Sequence, residues 1–297
     1  MRNLKSAIAV LAVGALALPG VASAAYPVTI TTGAGTITLA AKPVKIVSLS
    51  PTSTEDLYAV GAGPQVKAVD DQSTFPAGAP RTKLSGFSPN VEAIAKYKPD
   101  LVIISNDNGG KLAKRLKALK IPVMLEPAAV KFSDVYAQIN QLALATGHAA
   151  KGKAVVAQMK RRVAAIIASV PKRATPLTYY HELSPDYYSA TSSTFIGQVY
   201  GLLGLKNIAD AADGAGSGYP QLNAEYIIAS SPDFVFLADT VCCQADAASV
   251  AARPGWANIN AVKNGGVVLL NDDIASRWGP RIVNYLATVA QRVAQVR

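Results

Sequence analysis

The chain has 297 residues, half of them hydrophobic, and its formal net charge is +10 at neutral pH. This length and composition allow two domains or one large one, each with a sizeable apolar core. A basic excess would suit a nucleic acid or an anionic surface. The lysines and arginines, however, are spread along predicted helices, as in Lys111, Lys114, Arg115, Lys117 and Lys120. That spacing is typical of a solvated face, and we therefore expect no nucleic-acid binding.

The first 24 residues predict a signal peptide. Arg2 and Lys5 make a basic start, residues 7–18 are apolar, and residues 22–24 form a small-residue cleavage site. The apolar stretch is too short for a comfortable membrane span. We therefore expect residues 1–24 to be removed on export, with the mature protein in the periplasm or at the outer face of the cytoplasmic membrane.

Residues 25–132 alternate between strand and helix patterns. A hairpin is predicted from Pro27 to Leu39, where threonine alternates with valine and isoleucine around two glycines. Short runs rich in β-branched and apolar side chains predict buried strands at residues 44–49, 65–69, 101–105 and 122–125. Helices between these strands give the rhythm of a parallel sheet that is covered on both faces.

Residues 133–170 contain no strand pattern and predict a long helix, interrupted near Thr146 and Gly147. The strand and helix rhythm restarts at residue 171, and the last helix begins near Pro280. The sequence therefore predicts an α/β fold. Two Rossmann-like lobes, at residues 25–132 and 171–297, are joined by a single long interdomain helix at residues 133–170.

A repeated segment relates the two predicted lobes. Residues 90–104 and 223–237 both place Asn two positions before Glu, then Pro-Asp and a four-residue apolar run. Each copy predicts a short helix, a break at proline and a buried strand. Glu92 and Glu225 therefore begin equivalent helices, where a carboxylate favours the positive end of the helix dipole. Two carboxylates at matched sites also suit a contact with a symmetric partner.

Little in the sequence supports catalysis or a metal site. No Gly-x-Ser-x-Gly elbow or phosphate-binding loop is present, so a secreted hydrolase is only a distant alternative. The two histidines, His148 and His181, are too few for a zinc or manganese site. The adjacent Cys242 and Cys243 can form a strained vicinal disulfide, stay free or cross-link two molecules, and these alternatives remain open.

Ligands of two-lobed α/β proteins bind between the lobes, at loops that follow the strand ends. In the first lobe this position indicates Thr52, Gln72, Phe75, Phe87 and Asn106. In the second lobe it indicates His181, Tyr187, Tyr188, Tyr219, Asp273, Arg277 and Trp278. The aromatic faces suit a flat ring. Arg277 suits a carboxylate or phosphate, unless it forms a salt bridge with Asp273.

The chain resembles the substrate-binding proteins of ABC importers for vitamin B12, ferric siderophores and haem. The resemblance rests on residues 45–51 with Thr54 and Glu55, on both repeats and on residues 264–266 before a strand. It implies a class III periplasmic binding protein, a monomer without catalytic activity, cofactor or metal, which delivers a small molecule to a membrane permease dimer. It also implies that Glu92 and Glu225 dock on arginines of that permease.

Within this family the second lobe is most similar to the vitamin B12 binders. One similarity is an aromatic-Pro-Gln motif before Glu225, here Tyr219, Pro220 and Gln221. The other is a spacing of Asp, Arg, Pro and Arg, here Asp273, Arg277, Pro280 and Arg281. Together they imply a corrinoid such as cobalamin as the ligand, with a ferric siderophore as the alternative and haem behind both. For haem, the axial ligand would come from Tyr180, His181, Tyr187 or Tyr188.

Overall fold

The computed structural model describes residues 26–296 and begins with a β-hairpin. Strands β1 (Val28–Thr32) and β2 (Gly35–Leu39) pair antiparallel, as predicted for residues 27–39. Gly35 has a φ of +99°, a value that favours glycine, where the turn enters β2. The turn is attached to the first lobe because the Gly33 N–H donates to the Leu125 carbonyl at 2.9 Å. The signal peptide predicted at residues 1–24 lies outside the described residues.

The first lobe is built on a four-stranded parallel sheet. Its strands are β3 (Ile46–Leu49), β4 (Val66–Val69), β5 (Leu101–Ile104) and β6 (Val123–Leu125), in the order β4-β3-β5-β6. All residues of β3 and β5 are buried, which explains their nearly continuous apolar runs. Helices α1 (Pro51–Ala59), α2 (Val91–Ala95) and α3 (Lys111–Ala118) connect the strands. Ser50 caps α1 by accepting a hydrogen bond from the Ser53 N–H.

The long helical segment predicted at residues 133–170, with an interruption near Thr146 and Gly147, forms two helices that are separated at that place. These are α4 (Phe132–Ala145) and α5 (Ala149–Ser169), separated by a turn in which Gly147 has a φ of +76°. They pack antiparallel: a Cβ on Gly152 would lie 2.4 Å from the Cβ of Ala143, and the Lys160 ammonium lies 5.2 Å from the centre of the Tyr136 ring. Helix α4 packs on α1 and β1 of the first lobe, while α5 packs on α11 and carries the chain into the second lobe.

The second lobe repeats the sheet of the first. Strands β7 (Thr178–Glu182), β8 (Lys206–Asn207), β9 (Phe234–Leu237) and β10 (Val267–Leu269) are parallel, in the order β10-β9-β7-β8. In both lobes the first strand lies between the second and the third, and the fourth lies outside the third. The helices of this lobe are α6 (Phe195–Gly201), α7 (Ala224–Ser230), α8 (Ala247–Ala251), α9 (Asn260–Lys263), α10 (Asp272–Ala275) and α11 (Ile282–Gln295).

One apolar cluster runs through the molecule from lobe to lobe. It extends from Leu57 of α1 through Ile139 of α4 and Met159 of α5 to Tyr200 and Leu286 of the second lobe. The lobes therefore share buried side chains as well as a connecting helix, which favours a fixed arrangement. Within residues 26–296, none of the helices combines the length and apolar character needed to cross a membrane.

Candidate functional site

A hollow of about 440 Å³ lies at the carboxyl ends of β3, β4 and β5 in the first lobe. Three of the residues indicated by the sequence, Gln72, Phe87 and Asn106, line it. The others are Leu49, Pro51, Asp70, Asp71, Ser85, Gly86 and Ser105. Asp70, Asp71 and Ser105 were missed, although Asp70 and Asp71 are the first two residues after the strand predicted at residues 65–69 and Ser105 is the last residue of the strand predicted at 101–105. That position is the available sequence signal, since ligands of α/β sheets bind there.

The Phe87 ring stands out from this hollow and is 95% exposed. The preceding Gly86 explains its position, because a Cβ on Gly86 would lie 2.7 Å from the Leu49 carbonyl oxygen. The loop therefore runs tightly over the end of β3 and turns the next side chain outward. A ring that is fully exposed on a loop at a sheet's carboxyl edge is available to stack on a ligand.

The second lobe presents Tyr188 and Tyr219, which are 43% and 50% exposed. They lie on two adjacent segments: Tyr188 forms an antiparallel bridge with Gln221, and the Ser189 N–H donates to the Pro220 carbonyl at 3.0 Å. Partial burial raises the pKa of the Tyr219 phenol, so it stays neutral at physiological pH. The structure therefore brings these two predicted residues together on one aromatic surface.

Tyr187 supports this surface from behind. Its ring stacks on Trp256 at 5.8 Å, and the Arg253 guanidinium lies 4.6 Å from the centre of the Trp256 ring. Arg253 in turn donates to both carboxylate oxygens of Glu182 at 2.6 Å. Tyr187 is thus held by a buried aromatic and charged stack, rather than presented with Tyr188.

Asp273 and Arg277 join the lobes. They form a salt bridge of 2.5 Å, the alternative considered for them from the sequence. The Arg277 guanidinium also donates to the Gln72 carbonyl at 2.8 Å, and the Thr74 hydroxyl donates to Asp273 at 3.1 Å. Desolvation lowers the pKa of Arg277, and the Asp273 carboxylate opposes that effect. The charge of Arg277 is therefore already partnered inside the protein.

Four other predicted residues are not among those that line the hollow of the first lobe. Thr52 is buried within α1, and His181 is fully buried, with Nδ1 2.7 Å from the Tyr200 hydroxyl. Burial lowers the pKa of His181 to about 3. Phe75 lies under the guanidinium of Arg281 at 3.8 Å, and the Trp278 indole N–H donates to Gln138 of α4 at 3.0 Å. Packing against segments distant in the sequence explains why these side chains lie away from the hollow.

Glu92 and Glu225 occupy the same place in α2 and α7. Asn90 and Asn223 cap the two helices, and each accepts a hydrogen bond of 2.8 Å from the third backbone N–H. Both glutamates are exposed, at the edge of the sheet where the strands end. Glu92 forms an exposed salt bridge of 2.7 Å with Arg115. The repeat therefore presents two equivalent carboxylates, one on each lobe.

The two cysteines are exposed free thiols, so the structure contains no Cys242–Cys243 disulfide. Among residues 26–296, no group of three or more histidine, cysteine or acidic side chains is arranged to hold a metal ion. What the described surface offers at the cleft is aromatic rings, carboxylates and amides.

A model of the periplasmic binding protein family matches residues 46–274. The chain belongs to the periplasmic binding protein family. An ABC transporter substrate-binding lipoprotein of Bacillus subtilis is 32% identical over 281 residues, 90% of this chain and 86% of the relative. A cobalamin-binding protein of Halobacterium salinarum is 34% identical over 275 residues, 89% of this chain and 73% of the relative. The resemblance stated from the sequence is confirmed: this is a substrate-binding protein of the ABC importer type.

Solved structures of this family share the fold. A protein of Staphylococcus epidermidis, described as a possible iron-binding (periplasmic solute-binding) protein, has a TM-score of 0.72 and 28% identity, with 86% of this chain and 100% of that one covered. The vitamin B12-binding protein of Vibrio cholerae has a TM-score of 0.71 and 22% identity, with 86% and 99% covered. The two-lobed α/β class predicted from the sequence is therefore confirmed. Members of this family are components of transport rather than enzymes.

Proposed function

We propose that this protein captures a corrinoid of the cobalamin type outside the cytoplasm and delivers it to the permease of an ABC importer. The observation that carries the proposal is the set of exposed aromatic rings on cleft loops of both lobes. Phe87 belongs to the first lobe, and Tyr188 and Tyr219 belong to the second. A corrin is a broad, nearly flat ring, and stacking on such rings stabilises it beyond simple burial.

The polar groups at the cleft also suit a corrinoid. Gln72 and Asn106 line the hollow of the first lobe, and side-chain amides both donate and accept hydrogen bonds. The peripheral amides of a corrinoid need partners of this kind. A neutral ring with many amides is therefore matched by neutral aromatic and amide side chains.

Charge argues against a tri-anionic ferric siderophore. Such a ligand requires several cations that converge on it, yet three arginines of the second lobe already have carboxylate partners: Arg253 with Glu182, Arg277 with Asp273 and Arg281 with Glu55. Releasing one of them would leave a partly buried carboxylate unpaired, which is costly. The carboxylates of Asp70 and Asp71 at the hollow add repulsion for an anion.

A ferric siderophore or haem remains the alternative ligand. The Staphylococcus epidermidis structure, described as possibly iron-binding, is the observation that favours it. For haem, His181 is unsuitable because it is buried and bonded to Tyr200, which leaves the phenols of Tyr188 and Tyr219. The cobalamin-binding relative of Halobacterium salinarum is more similar to this chain and supports the corrinoid.

Delivery would use Glu92 and Glu225. Exposed carboxylates contribute little as isolated ion pairs, about 0–1 kcal/mol each. Paired on two lobes, they serve better to orient the protein on a two-fold permease, where charge complementarity raises the encounter rate and the specificity. Their matched caps and matched helix positions support this role.

A ligand screen by intrinsic fluorescence tests the proposal. Trp278, half-buried where the lobes meet, is the main reporter, while Trp256 is fully buried. Cobalamin, haem and several ferric siderophores should be titrated separately into the purified protein, with free tryptophan as the control for inner-filter absorption. We expect saturable quenching by cobalamin. Saturable quenching by a ferric chelate alone would assign the alternative ligand.

A further inference from the structure

A second, smaller hollow adjoins the hollow of the first lobe, and we call it the side pocket. Its volume is about 230 Å³, and Gly86, Phe87 and Asn106 line both hollows. From these residues the side pocket extends to α3, where Lys111 and Arg115 line it. A ligand that stacks on Phe87 can therefore place a substituent of its ring in the side pocket.

The two cations of the side pocket differ in their partners. Lys111 and Arg115 are four residues apart on α3, so they lie on the same face of that helix. Arg115 already donates to the Glu92 carboxylate at 2.7 Å. Lys111 is exposed and takes part in no ion pair within residues 26–296. Lys111 is therefore the cation that is available to a ligand.

One carboxylate also lines the side pocket, but its oxygens are already bonded. The Asp107 carboxylate accepts hydrogen bonds from the backbone N–H groups of Leu112 and Ala113, each at 2.9 Å. These bonds satisfy N–H groups at the start of α3 that would otherwise lack partners. Apolar side chains of Pro89 and Val91 contribute to the wall as well. The side pocket therefore suits a single anionic group with an apolar neighbour, rather than a polyanion.

We propose that the side pocket binds the phosphodiester of the nucleotide loop of a complete corrinoid, with Lys111 as its cationic partner. This inference rests on the proposed corrinoid function and extends that site to a charged part of the ligand. The nucleotide loop of cobalamin hangs from the edge of the corrin ring and carries one negative charge. Cobinamide keeps the ring and its amides but lacks the loop and its phosphate. Because charge-assisted hydrogen bonds are roughly twice as strong as neutral ones, Lys111 distinguishes the complete corrinoid from the truncated one.

Calorimetric titration with cyanocobalamin and dicyanocobinamide tests this inference. We expect the wild type to bind cyanocobalamin more tightly. Lys111→Gln should weaken binding of cyanocobalamin at least about fivefold and change binding of dicyanocobinamide less than about twofold. Lys111→Arg keeps the positive charge and should keep the preference for cyanocobalamin.

Lys114→Gln is the matched control. Lys114 is also an exposed lysine of α3, but it lines a different hollow, between α3 and the hairpin of β1 and β2. This variant loses the same charge and should bind both corrinoids within about twofold of the wild type.

The two ligands separate failure of the side pocket from failure of the proposed function. Equal affinity of the wild type for the two corrinoids would overturn the phosphate site alone. Equal losses for both corrinoids in Lys111→Gln, or equal effects of Lys111→Gln and Lys114→Gln on cyanocobalamin, would overturn it too. Binding of neither corrinoid by the wild type would overturn the proposed function and the phosphate site with it.

Discussion

Arg281 of the second lobe binds the carboxylate of Glu55 in the first lobe through two hydrogen bonds. Its backbone N–H donates to Oε1 at 2.7 Å, and its Nε donates to Oε2 at 2.6 Å. The side chains of Arg281 and Glu55 are only 19% and 4% exposed. Gly279 approaches so closely that a Cβ there would lie 2.8 Å from the carboxylate. This contact therefore holds the two lobes together on the buried side of α1.

Removing the cation should destabilise the protein strongly. Arg281→Ala leaves Glu55 buried without its charge partner, next to Asp56, whose pKa is raised well above its usual value by burial and by Glu55 and Glu126. Breaking one side of a buried ion pair costs about 3–5 kcal/mol. We expect a loss of that order in the free energy of unfolding, measured by urea denaturation.

A double variant provides the control for this loss. Glu55→Gln combined with Arg281→Gln removes both charges and keeps an acceptor for the backbone N–H of residue 281. The double variant should therefore lose less free energy of unfolding than Arg281→Ala alone. If Arg281→Ala costs under ~1 kcal/mol, the pair behaves as an exposed salt bridge and does not fasten the lobes.

Stability should fall as the pH rises, because of buried Glu126. Burial raises the pKa of Glu126 to about 8 in the folded protein, from 4.5 in an exposed chain. Between these values the folded state binds more protons than the unfolded state, so the free energy of unfolding decreases with increasing pH. Glu126 alone gives a slope of up to about 1.4 kcal/mol per pH unit in that window and none above it. Asp56 contributes with the same sign.

Urea denaturation between pH 5 and pH 8 measures this slope. Glu126→Gln carries no titrating group and should be less pH-dependent than the wild type. Glu225→Gln changes an exposed carboxylate and serves as the control, with the wild-type slope retained. Equal slopes for the wild type and Glu126→Gln would show that Glu126 is ionised in the folded protein.

Tyr219→Ala should weaken cobalamin binding at least tenfold, about 1.4 kcal/mol. The reason is the loss of a half-exposed ring that would stack on the corrin, a contribution expected from burial and aromatic contact. Tyr97→Ala is the matched control, since Tyr97 is 37% exposed but lies beyond α2, at the opposite end of that helix from Glu92. Calorimetry of both variants measures the difference. Equal affinities of the two variants for cobalamin would show that Tyr219 does not contact the ligand.

Glu92→Arg combined with Glu225→Arg should abolish transport and leave ligand affinity within about twofold. The two carboxylates occupy matched exposed positions outside the hollow, so reversing their charge repels the arginines of a permease without touching the ligand. Uptake of labelled cobalamin by cells that express the importer provides the first readout, and binding by the purified variant provides the second. A folded variant that loses ligand binding would show that these glutamates line the cleft instead.

The repeat was readable from the sequence because it is local. Asn90 and Asn223 each stand two residues before a glutamate, and the caps, helices and strands that follow depend on a few neighbouring residues. The identical strand order of the two sheets follows from this duplication. The break in the linker was predictable for a local reason too, because Gly147 adopts a positive φ that ends α4 and reverses the chain.

The candidate site was less predictable because it depends on contacts between distant segments. His181 lies in β7, one residue before its end, but α6 covers it and supplies the Tyr200 hydroxyl. Thr74 and Asp273 are 199 positions apart and meet only because the lobes dock. Loop aromatics such as Phe87 were easier to nominate, since the end of a parallel strand is a general binding position.

Direct calorimetric titration of the wild-type protein with cobalamin, in parallel with haem and a ferric siderophore, tests the proposed function most directly. The aromatic, amide-bearing cleft with its partnered arginines predicts saturable binding of cobalamin at one molecule per chain, tighter than that of either iron ligand. Tight binding of the ferric siderophore or of haem, with no detectable binding of cobalamin, would contradict it.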